Sequence, residues 1–182
     1  MYKVDLHPTK GEASPYAEAI QLAASNADDG DVSSRMELAV TSGDPRAMYA
    51  IATWYLAGEY GYPCSDERAL SLLHAAAQAG VTEAMYDLGV SFELARGVPS
   101  DCHKAFYWYL RAAIRGEADA VMQVANCYAS GSGIELDLVS ALAWYEAAEA
   151  LGVDAGEAER FRQWLRDDDG ETSTLPATST KS

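Results

Sequence analysis

The middle of the chain repeats itself at a period of 36 to 37 residues, as the four glycines Gly43, Gly80, Gly116 and Gly152 show. Six further positions recur in the same register: alanine at three of them (Ala47, Ala84, Ala120; Ala69, Ala105, Ala141; Ala76, Ala112, Ala148), an aromatic residue (Tyr55, Phe92, Tyr128), an acid (Asp66, Asp101, Asp137) and a large apolar residue (Leu72, Trp108, Trp144). So many positions in one register indicate a repeat array, in which each unit buries its apolar side against its neighbours.

Within one unit the apolar residues follow a helical period. Ala84, Leu88 and Phe92 lie at i, i+4 and i+8, and the stretch from 105 to 112 has the same pattern. Between the two stretches, residues 96–101 form a turn that ends in a candidate N-cap, Ser100 or Asp101. The glycine that ends each unit can adopt the left-handed conformation that stops a helix. Each unit is therefore predicted to be a helix pair, with Trp108 and Trp144 largely buried at equivalent sites.

The second unit carries the residues of a known repeat. It runs Ala84-x-x-x-Leu88-Gly89-x-x-Phe92, then Gly97-Val98-Pro99-x-Asp101, then Lys104-Ala105-x-x-Trp108-Tyr109-x-x-Ala112-Ala113-x-x-Gly116. This pattern resembles the Sel-one-like repeat (SLR) family, which is related to tetratricopeptide repeats. The resemblance implies an all-α fold, a right-handed α-solenoid of antiparallel helix pairs, with three units at 44–80, 81–116 and 117–152.

The flanking segments are assigned in the same register. Residues 1–43 are predicted to form a degenerate N-terminal capping helix pair, with helices at Pro15–Ala27 and Asp31–Ser42. Residues 153–166 have apolar side chains on one helical side and are predicted to form a C-terminal capping helix. Residues 167–182 are acidic and then rich in Ser and Thr, a composition typical of a disordered tail.

The charge of the chain restricts its partners. The 182 residues include 28 acids and 13 bases, a net charge of −15, which disfavours nucleic acid and anionic membranes as partners. The N-terminus carries charges and Pro8 in place of the apolar run of a signal peptide, and no 18-residue apolar stretch occurs. We therefore expect a cytoplasmic protein. Its acidic C-terminal third could steer a basic partner.

The sequence offers little for catalysis. It lacks phosphate-binding glycine loops and the Cys or His spacings of zinc sites, so no catalytic, cofactor or metal residue is assigned. Cys102-His103 opens a predicted helix, whose N-terminus would lower a thiol pKa. Consecutive helical residues point about 100° apart, however, so an exposed first turn is favoured. Cys127 is interpreted as a packed thiol, and Cys64 as a loop residue without a role.

Functional residues are expected on the concave surface, which first helices line in tetratricopeptide-like arrays. Positions between the packing residues of the first helices give a partner-binding groove with a Tyr-Tyr-Met stripe and polar flanks: Arg46, Tyr49, Thr53, Glu83, Tyr86, Val90, Glu93, Asp119, Met122 and Asn126. An extended peptide or a partner helix would fit such a floor. Alternatively, the tyrosines pack between adjacent first helices.

The favoured function is a non-catalytic scaffold or adaptor that binds a protein or peptide partner. One alternative is an acidic immunity protein or antitoxin that neutralises a cognate toxin by masking a basic site. A second alternative, from another class, is an enzyme that uses Cys102-His103.

Overall fold

The computed structural model describes residues 14–25, 27–153 and 156–167 of the chain. These ranges contain nine helices and no strand, which confirms the predicted all-α class. The helices are α1 (Pro15–Ala24), α2 (Asp29–Thr41), α3 (Pro45–Ala57), α4 (Asp66–Gln78), α5 (Thr82–Glu93), α6 (Cys102–Ala113), α7 (Ala118–Ser130), α8 (Leu138–Ala150) and α9 (Glu157–Asp167). Three helix pairs, α3–α4, α5–α6 and α7–α8, correspond to the three repeats of the sequence.

The second helix of each repeat begins at a side-chain cap. Asp101 caps α6 and Asp137 caps α8, each accepting a hydrogen bond from a backbone N–H of the first turn. In the first repeat the equivalent cap is Ser65, whose hydroxyl accepts from the Arg68 N–H, and Asp66 is already helical. The position that is Asp101 and Asp137 in the other repeats is therefore Ser65 in the first repeat, and not Asp66 as the sequence pattern indicated. A cap requires a short side chain with an oxygen atom, and it does not require a charge.

The second helix of every repeat ends in one motif. At Gly116, φ is +88°, and the Glu117 N–H donates to the carbonyl of Ala112 at 3.2 Å. The same backbone hydrogen bond follows Gly80 and Gly152 and reaches the carbonyls of Ala76 and Ala148. This is the Schellman arrangement, in which glycine adopts a conformation that a Cβ atom would strain. Glycine recurs at the end of each repeat because it terminates the second helix.

The loop between the two helices of a repeat is also fixed by a repeated hydrogen bond. The N–H of the capping residue donates to the carbonyl of the aromatic residue that recurs near the end of the first helix. The distances are 2.9 Å from Ser65 to Tyr55, 3.0 Å from Asp101 to Phe92 and 3.0 Å from Asp137 to Tyr128. Loops of different composition therefore hold their helices in the same way. The first repeat has one residue more between the two bonded positions, ten from Tyr55 to Ser65 against nine from Phe92 to Asp101, and the same hydrogen bond closes its loop.

The chain divides into two compact units, and the boundary between them lies within α5. Unit 1 contains α1 to α4, residues 82–84 of α5 and residues 96–99; unit 2 contains the remainder of α5 and α6 to α9. In unit 1 a core of small and large residues joins α1, α2 and α3: Tyr16, Ala19, Val32, Met36, Ala39, Ala47, Ala50, Ile51 and Trp54. In unit 2 a core joins α7, α8 and α9: Ala125, Ala129, Ala141, Tyr145, Ala158 and Phe161.

The two ladder tryptophans differ in burial. Trp108 is 7% exposed, as predicted. Trp144 is only partly buried and packs against the α7–α9 core, so the two sites that were predicted to be equivalent differ in burial. In α8 the fully buried aromatic position belongs to Tyr145, against which Phe161 of α9 packs with ring centroids 5.0 Å apart.

The flanks are helical where the structure describes them. α1 begins at the predicted residue, Pro15, with Ser14 as its cap, but it ends at Ala24, and α2 begins at Asp29, two residues before its predicted start. The predicted C-terminal helix corresponds to α9, which extends to Asp167. Residues 1–13 and the remainder of the predicted disordered tail, 168–182, lie outside the described residues. Whether the terminal helices cap the array stays a prediction.

Candidate partner-binding surface

Unit 2 carries six of the ten predicted groove residues. Four of them, on α5 and α7, are partly buried: Tyr86, Val90, Met122 and Asn126. Glu93 and Asp119 are exposed. The packing positions next to them, Leu88, Phe92, Val124 and Ala125, are all buried. The alternation follows from the helical period, which turns one side of each first helix inward and leaves the other within reach of solvent.

A buried tyrosine of α6 forms a hydrogen bond to the Glu93 carboxylate. The Tyr109 hydroxyl donates to Glu93 Oε2 at 2.6 Å, and the Tyr109 ring lies 5.7 Å from that of Tyr86 between centroids. Tyr109 is 1% exposed, and burial, followed by the hydrogen bond to Glu93, raises its pKa well above the usual range. The hydroxyl therefore remains a donor, and it fixes an exposed carboxylate at the end of α5.

In the third repeat the equivalent tyrosine, Tyr145, orients the side-chain amide of Asn126. The Tyr145 hydroxyl donates to Asn126 Oδ1 at 2.7 Å, and Asn126 Nδ2 donates to Gln123 Oε1 at 3.1 Å. Both predicted polar groove residues at this end of the first helices thus have a defined orientation.

Reasoning from the sequence did not assign Tyr109 or Tyr145 to the site. The available signal was the Trp-Tyr pair at the same position of both repeats. One helix offers two large side chains at adjacent positions, and a tyrosine that is buried needs a partner for its hydroxyl. In the first repeat the position is Leu73, which is fully buried and has no hydroxyl.

The remaining four predicted residues lie in unit 1. Glu83 is exposed, and Arg46 is partly buried and forms two hydrogen bonds to the Asp44 carboxylate, at 3.3 Å from Nε and 3.0 Å from Nη2. The Arg46 guanidinium also lies 4.6 Å from the centroid of the Tyr16 ring. Arg46 therefore links the start of α3 to α1, and its charge is compensated by Asp44.

Tyr49 and Thr53 do not face an open groove. Each is 8% exposed, and the Thr53 hydroxyl donates to the Ala50 carbonyl of its own helix at 2.8 Å. Their predicted role as partner contacts is corrected for this reason: a buried side chain offers no contact area. Tyr49 is buried and Tyr86 is partly buried, and the alternative that these tyrosines pack between adjacent first helices stays a prediction.

The three cysteines lie in different surroundings. Cys102 and His103 are exposed on the first turn of α6, which agrees with the interpretation as a solvent-facing turn. Cys127 is 8% exposed, and burial, together with the nearby Glu93 carboxylate, raises its pKa to about 12. The described ranges contain no group of three or more His, Cys, Asp or Glu side chains placed to hold a metal ion. Among the helices described, none is both long and apolar enough to cross a bilayer.

Comparison with known proteins agrees with the repeat register. The Sel1 repeat matches three consecutive segments, 45–81, 82–117 and 118–153. A Sel1 repeat protein from Oxalobacter formigenes superposes with a TM-score of 0.72 at 25% identity, over 85% of this chain and 61% of that one. A protective antigen of uropathogenic Escherichia coli with an SLR fold superposes with a TM-score of 0.73 at 20% identity, over 85% and 32%. The fold is therefore the α-solenoid type of these proteins.

Curated relatives match over parts of their length. The DAP3-binding cell death enhancer 1 of Rattus norvegicus is 34% identical over 96 residues, which are 53% of this chain and 18% of that protein. Chitin synthase regulatory factor 3 of Schizosaccharomyces pombe is 39% identical over 71 residues, 38% of this chain and 8% of that protein. This chain thus spans less than a quarter of the relatives that it matches. Three matched repeats cover more than half of its residues, and the chain belongs to the Sel1 repeat family.

Proposed function

We propose that this protein is a non-catalytic interaction adaptor that binds a protein or peptide partner through the first-helix face of unit 2. We define this face by Tyr86, Val90, Glu93, Met122 and Asn126. The observation that carries the proposal is the pair of hydrogen bonds from Tyr109 and Tyr145, which orient Glu93 and Asn126 from the interior. Polar groups that are held in place before binding lose little side-chain entropy when a partner arrives.

The composition of the face suits peptide recognition. Tyr86 supplies stiff aromatic contact area, and Met122 can adapt to an irregular partner surface. Val90 adds an apolar contact between them in sequence, and Glu93 and Asn126 supply acceptors that give direction. Large partly buried side chains surrounded by oriented polar groups are typical of the residues that contribute most to protein binding.

The relatives support a binding role at the level of their names. One relative is named as a DAP3-binding protein, and others are named as chitin synthase regulatory factors. Those names describe the binding or regulation of another protein or enzyme rather than a reaction. Because the shared region is a small part of each, the identity of the partner is not carried over to this chain.

A test begins with capture of the partner at the proposed face. A photo-crosslinking amino acid at position 90, and separately at exposed position 149 of α8, labels whatever protein contacts each site in the source cell. The captured protein is purified, and its Kd is measured by calorimetry. Tyr86→Ala should weaken binding by about 2 kcal/mol, roughly 30-fold in Kd, because it removes the aromatic contact.

Matched variants separate binding from folding. Met122→Ala should also raise the Kd, whereas Glu149→Ala on α8 should leave it unchanged. Circular dichroism must show that each variant remains folded, because the Tyr86 ring also contacts Tyr109. If folded Tyr86→Ala and Met122→Ala variants bind the captured protein as tightly as the parent, the first-helix face of unit 2 is not its binding site.

A further inference from the structure

A second surface with different chemistry lies on α6 and the turn that follows it. Tyr107, Arg111, Ile114 and Arg115 are spaced at i, i+4, i+7 and i+8, so they share one side of the helix. We call these four residues the α6 outer face. Tyr107 is 52% exposed and Ile114 is 67% exposed, so both offer apolar area next to the two arginines.

The polar side chains of the α6 outer face are ordered by contacts within α6. The Arg111 guanidinium lies 5.5 Å from the Tyr107 ring centroid and 4.9 Å from that of Trp108. Arg111 Nη1 donates to the Tyr107 hydroxyl at 3.2 Å, and Arg115 Nη1 donates to the Arg111 carbonyl at 3.1 Å. Arginine and tyrosine side chains ordered in this way are the types that dominate binding energy at protein interfaces.

The charge of this face opposes that of the chain. Residues 102–116 contain no Asp or Glu, although the whole sequence carries 28 acids against 13 bases. Lys104 is paired with Asp101 at 3.0 Å. Within the described part of the chain, neither Arg111 nor Arg115 forms an ion pair. Two ordered guanidinium groups are therefore available to carboxylates from another molecule.

We propose that the α6 outer face docks an acidic amphipathic segment of a protein partner. Carboxylates of the segment pair with Arg111 and Arg115, and its apolar side chains cover Ile114 and the Tyr107 ring. A basic segment would be repelled by the positive charges of Arg111 and Arg115. A nucleic acid would present a continuous polyanion to a chain of net charge −15, whereas a short segment brings few charges. At physiological salt, charges farther than about 8 Å away are largely screened, so the local arginines decide the interaction.

The experiment selects a ligand by chemistry. Random 12-residue peptides displayed on phage are selected on the immobilised full chain and counter-selected on a chain with Arg111→Glu and Arg115→Glu. We expect the enriched peptides to combine Asp or Glu with Leu, Ile, Phe or Trp. Enrichment of basic peptides, or of no peptides, would overturn the proposal.

The affinity of an enriched peptide then locates the contact. Fluorescence anisotropy should show a Kd raised about tenfold or more by Arg111→Glu with Arg115→Glu, and by Ile114→Asp. A control with the same charge change, Arg68→Glu with Arg96→Glu, should leave the Kd close to that of the parent. Tyr86→Ala should also leave it unchanged, so failure here is distinct from failure of the first-helix face.

Two further outcomes would assign this face to another occupant and overturn the proposal. The first is a dimer, seen by light scattering, that the Arg111→Glu and Arg115→Glu variant dissociates. The second is binding of a 20-nucleotide oligothymidylate that depends on the same two arginines.

Discussion

At the scale of single residues, Gly89 shows how closely two helices of one repeat approach. A Cβ atom at position 89 would overlap ring carbons of Tyr109 on α6. The equivalent positions of the other repeats, Ala52 and Ala125, are alanines with no exposed surface. In the first repeat Ala52 is accompanied by Leu73 at the position of Tyr109. The residue pair therefore varies between repeats while the helix contact is kept.

Replacing Gly89 by alanine should lower the free energy of unfolding by about 1–3 kcal/mol, because the methyl group overpacks the site. The gain of roughly 0.5–1 kcal/mol from removing a helical glycine should not compensate for this cost. Chemical denaturation measures the change. The double variant Gly89→Ala with Tyr109→Leu reproduces the first-repeat pair, so its cost should be smaller than the sum of the single costs. Additive costs would show that the two residues do not share a packing constraint.

Thiol reactivity should distinguish the three cysteines. At pH 8, Ellman's reagent should label Cys64 and Cys102 rapidly, because both are exposed, and Cys127 slowly. A pKa raised to about 12 keeps the Cys127 thiol protonated at this pH, and the thiolate is the reactive form. In guanidinium chloride all three should react, and Cys127→Ala should remove only the slow phase. Equally fast labelling of three thiols in the folded protein would contradict the burial of α7.

At the scale of elements, each repeat depends on the start and the end of its second helix. Among the caps described, Asp137 accepts hydrogen bonds with both of its carboxylate oxygens. Its Oδ1 atom accepts from the Val139 and Ser140 backbone N–H groups at 3.0 and 3.1 Å, and Oδ2 accepts from the Ser140 hydroxyl at 2.6 Å. The hydrogen bond from Ser140 lowers the carboxyl pKa below its ordinary value of 3.8. The ionised form therefore stabilises α8.

Asp137→Ala should lower the free energy of unfolding at pH 7, because the first-turn N–H groups lose their acceptor. A carboxyl whose pKa is lower in the folded than in the unfolded chain stabilises the fold above the unfolded pKa. That contribution is lost as the pH falls through the folded value. The difference between parent and variant should therefore shrink as the pH falls below 4. Glu135→Ala, in the preceding loop, is the control. A pH-independent difference would exclude the carboxylate as the cap.

At the scale of the whole molecule, stability is distributed over two units that each have a core. In unit 2 that core depends on α9, where Phe161 is 2% exposed and its ring lies 5.5 Å from that of Trp164. Next to Phe161, Arg162 joins Glu146 of α8 and Glu159 in ion pairs of 2.7 Å, which are largely exposed and contribute little. The apolar contact, rather than the charges, should hold α9 in place.

Phe161→Ala should lower the unfolding free energy by about 3–5 kcal/mol, because it opens a cavity against Tyr145. In an array whose elements interact mainly with their neighbours, the loss should be largest nearby. Hydrogen exchange followed by mass spectrometry should show faster exchange in α8 and α9 than in α1 and α2. Gln163→Ala, on the exposed side of α9, should have little effect. A loss below about 1 kcal/mol would show that α9 does not complete this core.

The repeat period, the helix pairs and their glycine ends could be predicted from the sequence, because each depends on residues close together in the chain. Helical spacing sets which side chains share a face, and a cap or a terminal glycine acts within one turn. The same local character allowed the polar residues of the first-helix face, Glu93 and Asn126, to be placed correctly on α5 and α7.

Other features were decided by the tertiary structure. Tyr49 and Thr53 occupy the same repeat positions as Tyr86 and Val90, yet the first pair is buried and the second is partly open. Trp144 has the repeat position of Trp108 but lies at the edge of its core. Equivalent positions share local geometry, but their burial differs from repeat to repeat. Burial, and with it the chemistry available to a partner, therefore depends on neighbours distant in sequence, and this is why a repeat pattern alone predicts the fold better than the site.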